Sequence, residues 1–174
     1  MTVQIIAFTA EQMQTHLSEF VELLRDAVDT GASVGFMPPL STAEAEAFWQ
    51  GIIADIQTGS RVVLVAKLDD TIAGSVQLGL AQKPNARHRA EVQKLLVHTR
   101  YRRRGIGTQL MLALEDSARQ YGRTLLVLDT IKGDAAEQLY PKMGYVRLGE
   151  IPQFAMIVDG TLAATVIFYK VLSA

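Results

Sequence analysis

Residues 91–109 read EVQKLLVHTRYRRRGIGTQ, and the rest of the chain is organised around this stretch. It begins as a strand: Val92, Leu95, Leu96 and Val97 are β-branched or aliphatic, with no Gly or Pro among them. It turns through the basic run Arg100-Tyr-Arg-Arg-Arg104 and opens into a helix at Gly105-Ile106-Gly107. There Ile106, Leu110, Leu114 and Ala118 keep helical spacing. Strand, basic glycine-containing turn and helix together make a phosphate cradle. The glycines let a ligand approach the backbone, and the first N–H groups of a helix have no partner within it. An anion there gains those hydrogen bonds and the positive end of the helix dipole, about 0.3–2 kcal/mol for the dipole alone.

Two common phosphate loops are excluded by spacing. No Lys-Ser or Lys-Thr pair follows the second glycine, and the run lacks the G-x-G-x-x-G order of a dinucleotide site. Composition narrows the field further. The 174 residues predict one domain spanning 1–174, with 49% apolar and 20% charged residues, as in ordinary globular proteins. The net charge of −1 makes the arginine cluster a local feature and argues against a nucleic-acid partner. The absence of cysteine removes disulfides, thiolate nucleophiles and Cys-ligated metals. His16, His88 and His98 lie far apart, so no metal site is predicted. Without a run of membrane-spanning length or a signal-like N-terminus, a cytoplasmic protein is the expectation, with no membrane partner.

In chain order, Val3–Phe8 reads as a strand and Glu11–Val28 as one amphipathic helix. The loop Gly31–Leu40 is small, apolar and stiffened by Pro38-Pro39; such a loop either packs under the domain or lines a ligand pocket. Ser41 with Glu44 is a capping box, opening a helix with Phe48, Trp49, Ile52, Ile53 and Ile56 on its buried stripe. Arg61–Leu68 and Thr71–Leu80 read as a hairpin about Asp69-Asp70, and Ala81–Ala90 as a polar loop. Tyr121-Gly122 closes the helix begun at Gly105. The apolar run Thr124–Thr130 then predicts a strand covered on both faces and parallel to the first. Asp134 with Glu137 starts a short helix ending near Lys142, and Gly144-Tyr145 re-enters a strand. Ala155–Val158 and Thr161–Val171 form a terminal hairpin at Asp159-Gly160. The fold class is α+β: a mixed, mostly antiparallel central sheet flanked by helices.

Two motifs carry a resemblance. Arg102-x-x-Gly105-x-Gly107, after the K-L-x-V strand at Lys94–Val97, resembles the R-x-x-G-x-G signature of GNAT-type N-acetyltransferases. Ala136-x-x-Leu139-Tyr140-x-Lys142-x-Gly144-Tyr145 is similar to the second motif of that family, in the right order. Outside both, residues 31–37, 82–85, 89–95, 128–130 and 149–152 resemble the branch of the family that acetylates the amino-acid toxin tabtoxin. One position departs: where many members carry Asn three residues before the Ala of the second motif, this chain has Gly133, so one pantetheine contact must come from elsewhere.

The resemblance implies the GNAT fold and acetyl-coenzyme A as co-substrate, with no metal. It places Leu95, Leu96 and Val97 along the cofactor, a backbone N–H at or near Val97 on the developing oxyanion, and Arg102, Arg103, Arg104, Gly105, Ile106, Gly107 and Thr108 around its phosphates. The chemistry then needs a neutral amine, oxyanion donors and a proton for the leaving thiolate. At pH 7 freeing an α-amino group costs about 1.4 kcal/mol and a lysine-like amine roughly 4.6 kcal/mol, so a base matters more for the latter. Glu91 and Asp129 are the candidate bases, Glu91 favoured slightly, and Tyr140 is the candidate acid. The implied partner is a small-molecule amine, and the chain is expected as a monomer or homodimer. A protein or peptide acetyltransferase and a non-catalytic acetyl-coenzyme A sensor are the alternatives.

Overall fold

A computed structural model of the chain describes residues 2–173. Its strands are β1 (Val3–Ala7), β2 (Arg61–Leu68), β3 (Thr71–Leu80), β4 (Arg89–Val97), β5 (Leu125–Ile131), β6 (Val146–Met156) and β7 (Leu162–Val171). The helices are α1 (Ala10–Thr15), α2 (Leu17–Asp29), α3 (Thr42–Gln57), α4 (Ile106–Gln120) and α5 (Ala135–Lys142). The strands form one sheet in the order β1-β2-β3-β4-β5-β7-β6. Every pairing is antiparallel except β4 with β5, which α4 joins as a crossover.

Alternation along the strands sorts two cores onto the two faces. Val62, Leu64, Ala66, Leu78, Ala90, Val92, Leu126 and Leu128 pack with α4 residues Ile106, Leu110, Met111 and Leu114. Val63, Val65, Ile72 and Leu96 face α1 to α3, where Phe20 and Trp49 are wholly buried with ring centroids 4.9 Å apart. The capping box at Ser41 and Glu44 is present on α3.

The critical irregularity lies in β4. Ser75 pairs with Leu96 but Gln77 pairs with Gln93, so β4 carries one extra residue opposite β3, a β-bulge at Lys94-Leu95. Lys94 takes φ +50°, a left-handed conformation rare outside glycine. The extra residue reverses the alternation. Leu95 and Val97 pack on the α4 side, while Leu96 joins the α1–α3 core and Lys94 lies over the Phe48 ring of α3. Bulges bend their strand, and β4 pairs with β5 only from Arg89↔Leu125 to Glu91↔Val127 before the two part.

Three expectations are corrected. The long first helix is broken at His16 (φ −101°, ψ 17°); its Nδ1 lies 2.7 Å from Glu19, whose other oxygen accepts the Ile72 backbone N–H. β5 is covered on one face only: Leu126 and Leu128 are buried, but Val127 and Asp129 line cavities beside the opening. The strand near Tyr145 and the first arm of the terminal hairpin are one long edge strand, β6, held by continuous β7 with register shifts at Arg147/Gly149 and Ile151/Ala155. Pro152 falls within the second irregularity, where a missing N–H is tolerated.

Two glycines test this packing with opposite signs. A Cβ at Gly74 would sit 2.5 Å from the Leu96 carbonyl oxygen, forcing β3 off the bulged strand. A Cβ at Gly51, inside α3, meets nothing within 4 Å. In urea titrations Gly74→Ala should therefore lower stability by roughly 1–3 kcal/mol. Gly51→Ala should raise it by about 0.5–1 kcal/mol. A neutral Gly74→Ala change would mean that β3 and β4 are not locked at this point.

Candidate active site

Where β4 and β5 separate, a cavity of about 580 Å³ passes through the sheet. Its walls come from both faces: Ala32–Met37 on the α1–α3 side, Ala136 and Tyr140 on the α4–α5 side, and Lys94, Leu95 and Asp129 at the gap. Neighbouring cavities of about 470 and 200 Å³ meet it at Glu91, which lines all three. The apolar loop 31–40 meets both of its sequence readings. Phe36 packs edge-on to Phe48 at 5.4 Å, and it lines the cavity together with the other residues from Ala32 to Met37.

The loop between β4 and α4 has the geometry of an anion site. Gly105, the N-cap of α4, has φ +73°, and Arg103 two residues earlier has φ +62°. Left-handed residues at this spacing turn successive N–H groups toward one side. No side chain caps α4, so its first N–H groups stay available to a ligand. The arginines divide. Arg102 donates through Nε to the Val97 carbonyl at 3.1 Å and through Nη2 to Thr30 at 3.1 Å, which ties the loop to the end of α2. Arg103 is exposed, and the exposed Arg104 guanidinium lies 5.7 Å from the Tyr101 ring centroid. Ile106 and Leu96 are buried in the two cores, so each can offer a cofactor only its backbone. Leu95, Val97, Gly107 and Thr108 are half-buried. From Val92 onward the edge of β4 has no β5 partner, and Lys94 and Leu95 have none on β3 either.

Tyr140 is brought to the same cavity from α5, whose N-cap Asp134 accepts from the Ala135 N–H. Its ring packs on Phe168 at 5.6 Å and on Tyr145 at 5.7 Å. Burial, with Asp134 and Asp129 adding negative charge nearby, pushes its pKa up to about 12, so the phenol keeps its proton through neutral and moderately alkaline pH. Asp129 is exposed to the cavity but not loose: the buried Thr165 hydroxyl on β7 donates to Oδ2 at 2.7 Å. Glu91 sits at the last parallel pair, on the rim where the cavities join.

Two participants were missed by sequence reasoning. Thr165 gave no local signal, because its role depends on β7 lying between β5 and β6. Lys94 stands out in the sequence only as part of the K-L-x-V strand pattern. Burial and nearby Arg61 push its pKa down, while Asp129 and Glu91 partly restore it. Arg61 itself is spent on Asp55, Gln77 and Gln93.

Gly107 gives a direct test of the cradle. A Cβ there would stand 3.9 Å from Leu139 and 4.0 Å from Val97, ordinary contacts, so the free protein should accept a larger side chain. The branched methyls of Gly107→Val would stand at the uncapped start of α4, where a phosphate would approach the backbone. Calorimetry should show acetyl-coenzyme A affinity reduced by roughly tenfold or more, with an unchanged circular dichroism spectrum. Wild-type affinity in the folded variant would remove the cradle from this helix start.

A model of the acetyltransferase (GNAT) family matches residues 22–145. Over 130 residues the chain is 29% identical to an uncharacterized N-acetyltransferase in the hisH-hisA intergenic region of Azospirillum brasilense, covering 70% of this chain and 74% of that one. Its fold is similar to that of ribosomal-protein-alanine N-acetyltransferase from Brucella melitensis, with TM-score 0.81 and 23% identity over 97% of this chain and 99% of that one. It is also similar to the yncA structure from Salmonella typhimurium, solved with its cofactor acetyl-CoA, with TM-score 0.80 and 20% identity over 100% and 96% of the two chains. A family match over most of the sequence, on this split sheet and uncapped helix start, means that the chain belongs to the GNAT acetyltransferase family.

Proposed function

We propose that the protein moves an acetyl group from acetyl-coenzyme A to the amine of a small, amino-acid-like acceptor. The observation that carries this reading is the through-sheet cavity, which brings an oriented carboxylate and a protonated phenol to one opening. When bound, acetyl-coenzyme A supplies the activated acetyl thioester. The uncapped start of α4 and the left-handed Arg103 and Gly105 fit its phosphates, and the open edge of β4 fits its pantetheine arm. An N–H of that edge, at or near Val97, faces the oxygen on which charge develops. The acceptor enters from the loop 32–37 side.

Asp129 removes a proton from the acceptor amine, directly or through a water, with Thr165 fixing the carboxylate. Tyr140 donates its proton to the leaving sulfur and recovers one from solvent. Glu91 at the rim orients the acceptor. Glu91 is slightly preferred as base from its strand position; the assignment of Asp129 is supported by the Thr165 hydrogen bond that orients its carboxylate and by its charge acting on Tyr140. The loop segments that resemble the tabtoxin resistance protein support an amino-acid toxin as one acceptor of this class.

Tyr140→Phe keeps the ring and removes only the donor. We expect kcat to fall roughly ten- to a thousandfold, with acetyl-coenzyme A affinity nearly unchanged. Stopped-flow measurement of thiol release, with small amines and with peptides as acceptors, checks both halves of the proposal. Wild-type chemistry in the variant would leave Tyr140 as packing, and turnover with peptides alone would replace the small-molecule acceptor.

A further inference from the structure

Lys94 is the one basic side chain among the described residues lining the central cavity, beside the acidic Glu91, Asp129 and Asp134. It lies on the acceptor side of the sheet only because the bulge reverses the alternation of β4 there, at the expense of a left-handed backbone on a non-glycine residue. Such conformations persist where the surroundings over-determine them and gather at functional sites. The ammonium stands 5.8 Å from the Phe48 ring centroid, and Nζ would be 3.7 Å from a Cβ at Gly35, so it lies beneath the apolar loop. Lys94 is half-buried, and among the described residues no carboxylate forms a salt bridge with it. Its basic neighbour Arg61 is already satisfied by Asp55, Gln77 and Gln93. A half-buried cation facing a cavity without a salt-bridge partner is set to receive an anion.

We infer that Lys94 is a specificity-determining residue that binds the carboxylate of the acceptor, selecting amines that carry their own acid group. This rests on the small-acceptor reading and names its chemical class. The arrangement is complementary to an amino acid: the amine lies against Asp129 and Glu91, the carboxylate against Lys94, and the side chain against Phe36, Phe154 and Met156. An amide or ester of the same acceptor cannot neutralise Lys94, so binding it leaves that charge buried and unpaired.

The test compares matched acceptors, the L-amino acids and their primary carboxamides, in thiol-release assays with wild-type protein and with Lys94→Met, Lys94→Gln and Lys94→Arg. Met and Gln keep a straight unbranched stem at a position where a branched residue would not fit the left-handed backbone. Wild type should prefer the free acid by at least tenfold in kcat/KM. In the Met and Gln variants that preference should collapse, with KM raised for the free acid and unchanged or lowered for the carboxamide, and Lys94→Arg should retain most of it. Equal loss for acid and amide in folded variants would overturn the inference and make Lys94 structural or part of the chemistry. A wild-type enzyme indifferent to the carboxylate would overturn it as well, while leaving the small-acceptor reading intact. Turnover with peptides but with no amino acid or amide would instead remove the small-acceptor reading, and this inference with it.

Discussion

The short parallel pairing between β4 and β5 is the constraint on which the rest depends. Parallel strands joined by a helix would ordinarily zip along their length, and here they part after Glu91↔Val127. Past that point β5 stays bonded to β7 as far as Ile131, whereas β4 is bent by its bulge and follows β3. The sheet therefore stays continuous at one end and is open at the other. An opening through a sheet leaves backbone N–H and C=O groups unpaired, which is unfavourable unless solvent or a ligand satisfies them. That same edge offers unpaired backbone groups to which an extended amide-containing chain such as the proposed pantetheine arm could hydrogen-bond.

The walls of the opening are held by polar anchors as well as by the core. Lys170 on β7 donates to both carboxylate oxygens of Glu115 on α4 at 2.8 Å and to the Met143 carbonyl at 2.7 Å. It thereby joins β7, α4 and the C-terminal end of the short helix that carries Tyr140, and places a cation at the negative end of that helix. It also lies 5.3 Å from the Tyr145 ring centroid, with Tyr145 against Tyr140. The Lys170 hydrogen bond to the Met143 carbonyl anchors the end of α5, whose last turn contains Pro141. On the opposite wall, Asp26 accepts from the Thr99 backbone and hydroxyl, and Arg102 reaches Thr30, fastening the cradle loop to α2.

Much of this was legible in the residues. The hairpin Arg61–Leu68 and Thr71–Leu80, the capping box at Ser41, the helix starting at Gly105 and the short helix bearing Tyr140 all announce themselves through local chemistry. Features that depend on distant partners did not. A left-handed Lys94 leaves no trace in composition, because nothing in a K-L-L-V run distinguishes a bulge from a regular strand. The exposed face of β5 looked like any buried parallel strand, since Leu125 and Val127 are as apolar as Leu126 and Leu128. Thr165 reaches Asp129 only because β7 inserts between β5 and β6, a topology that the chain order does not reveal. His16 breaks a helix whose apolar spacing continues through the break.

The proposed binding of acetyl-coenzyme A depends on two elements together, the β4 edge beyond Glu91 and the start of α4. Amide hydrogen exchange, read residue by residue in the free protein and with saturating acetyl-coenzyme A, tests it most directly. Exchange should slow chiefly at residues 92–97 and 103–108, with the outer strands β1 and β6 unchanged. Slowing confined to the α1–α3 face, or none along β4, would contradict it.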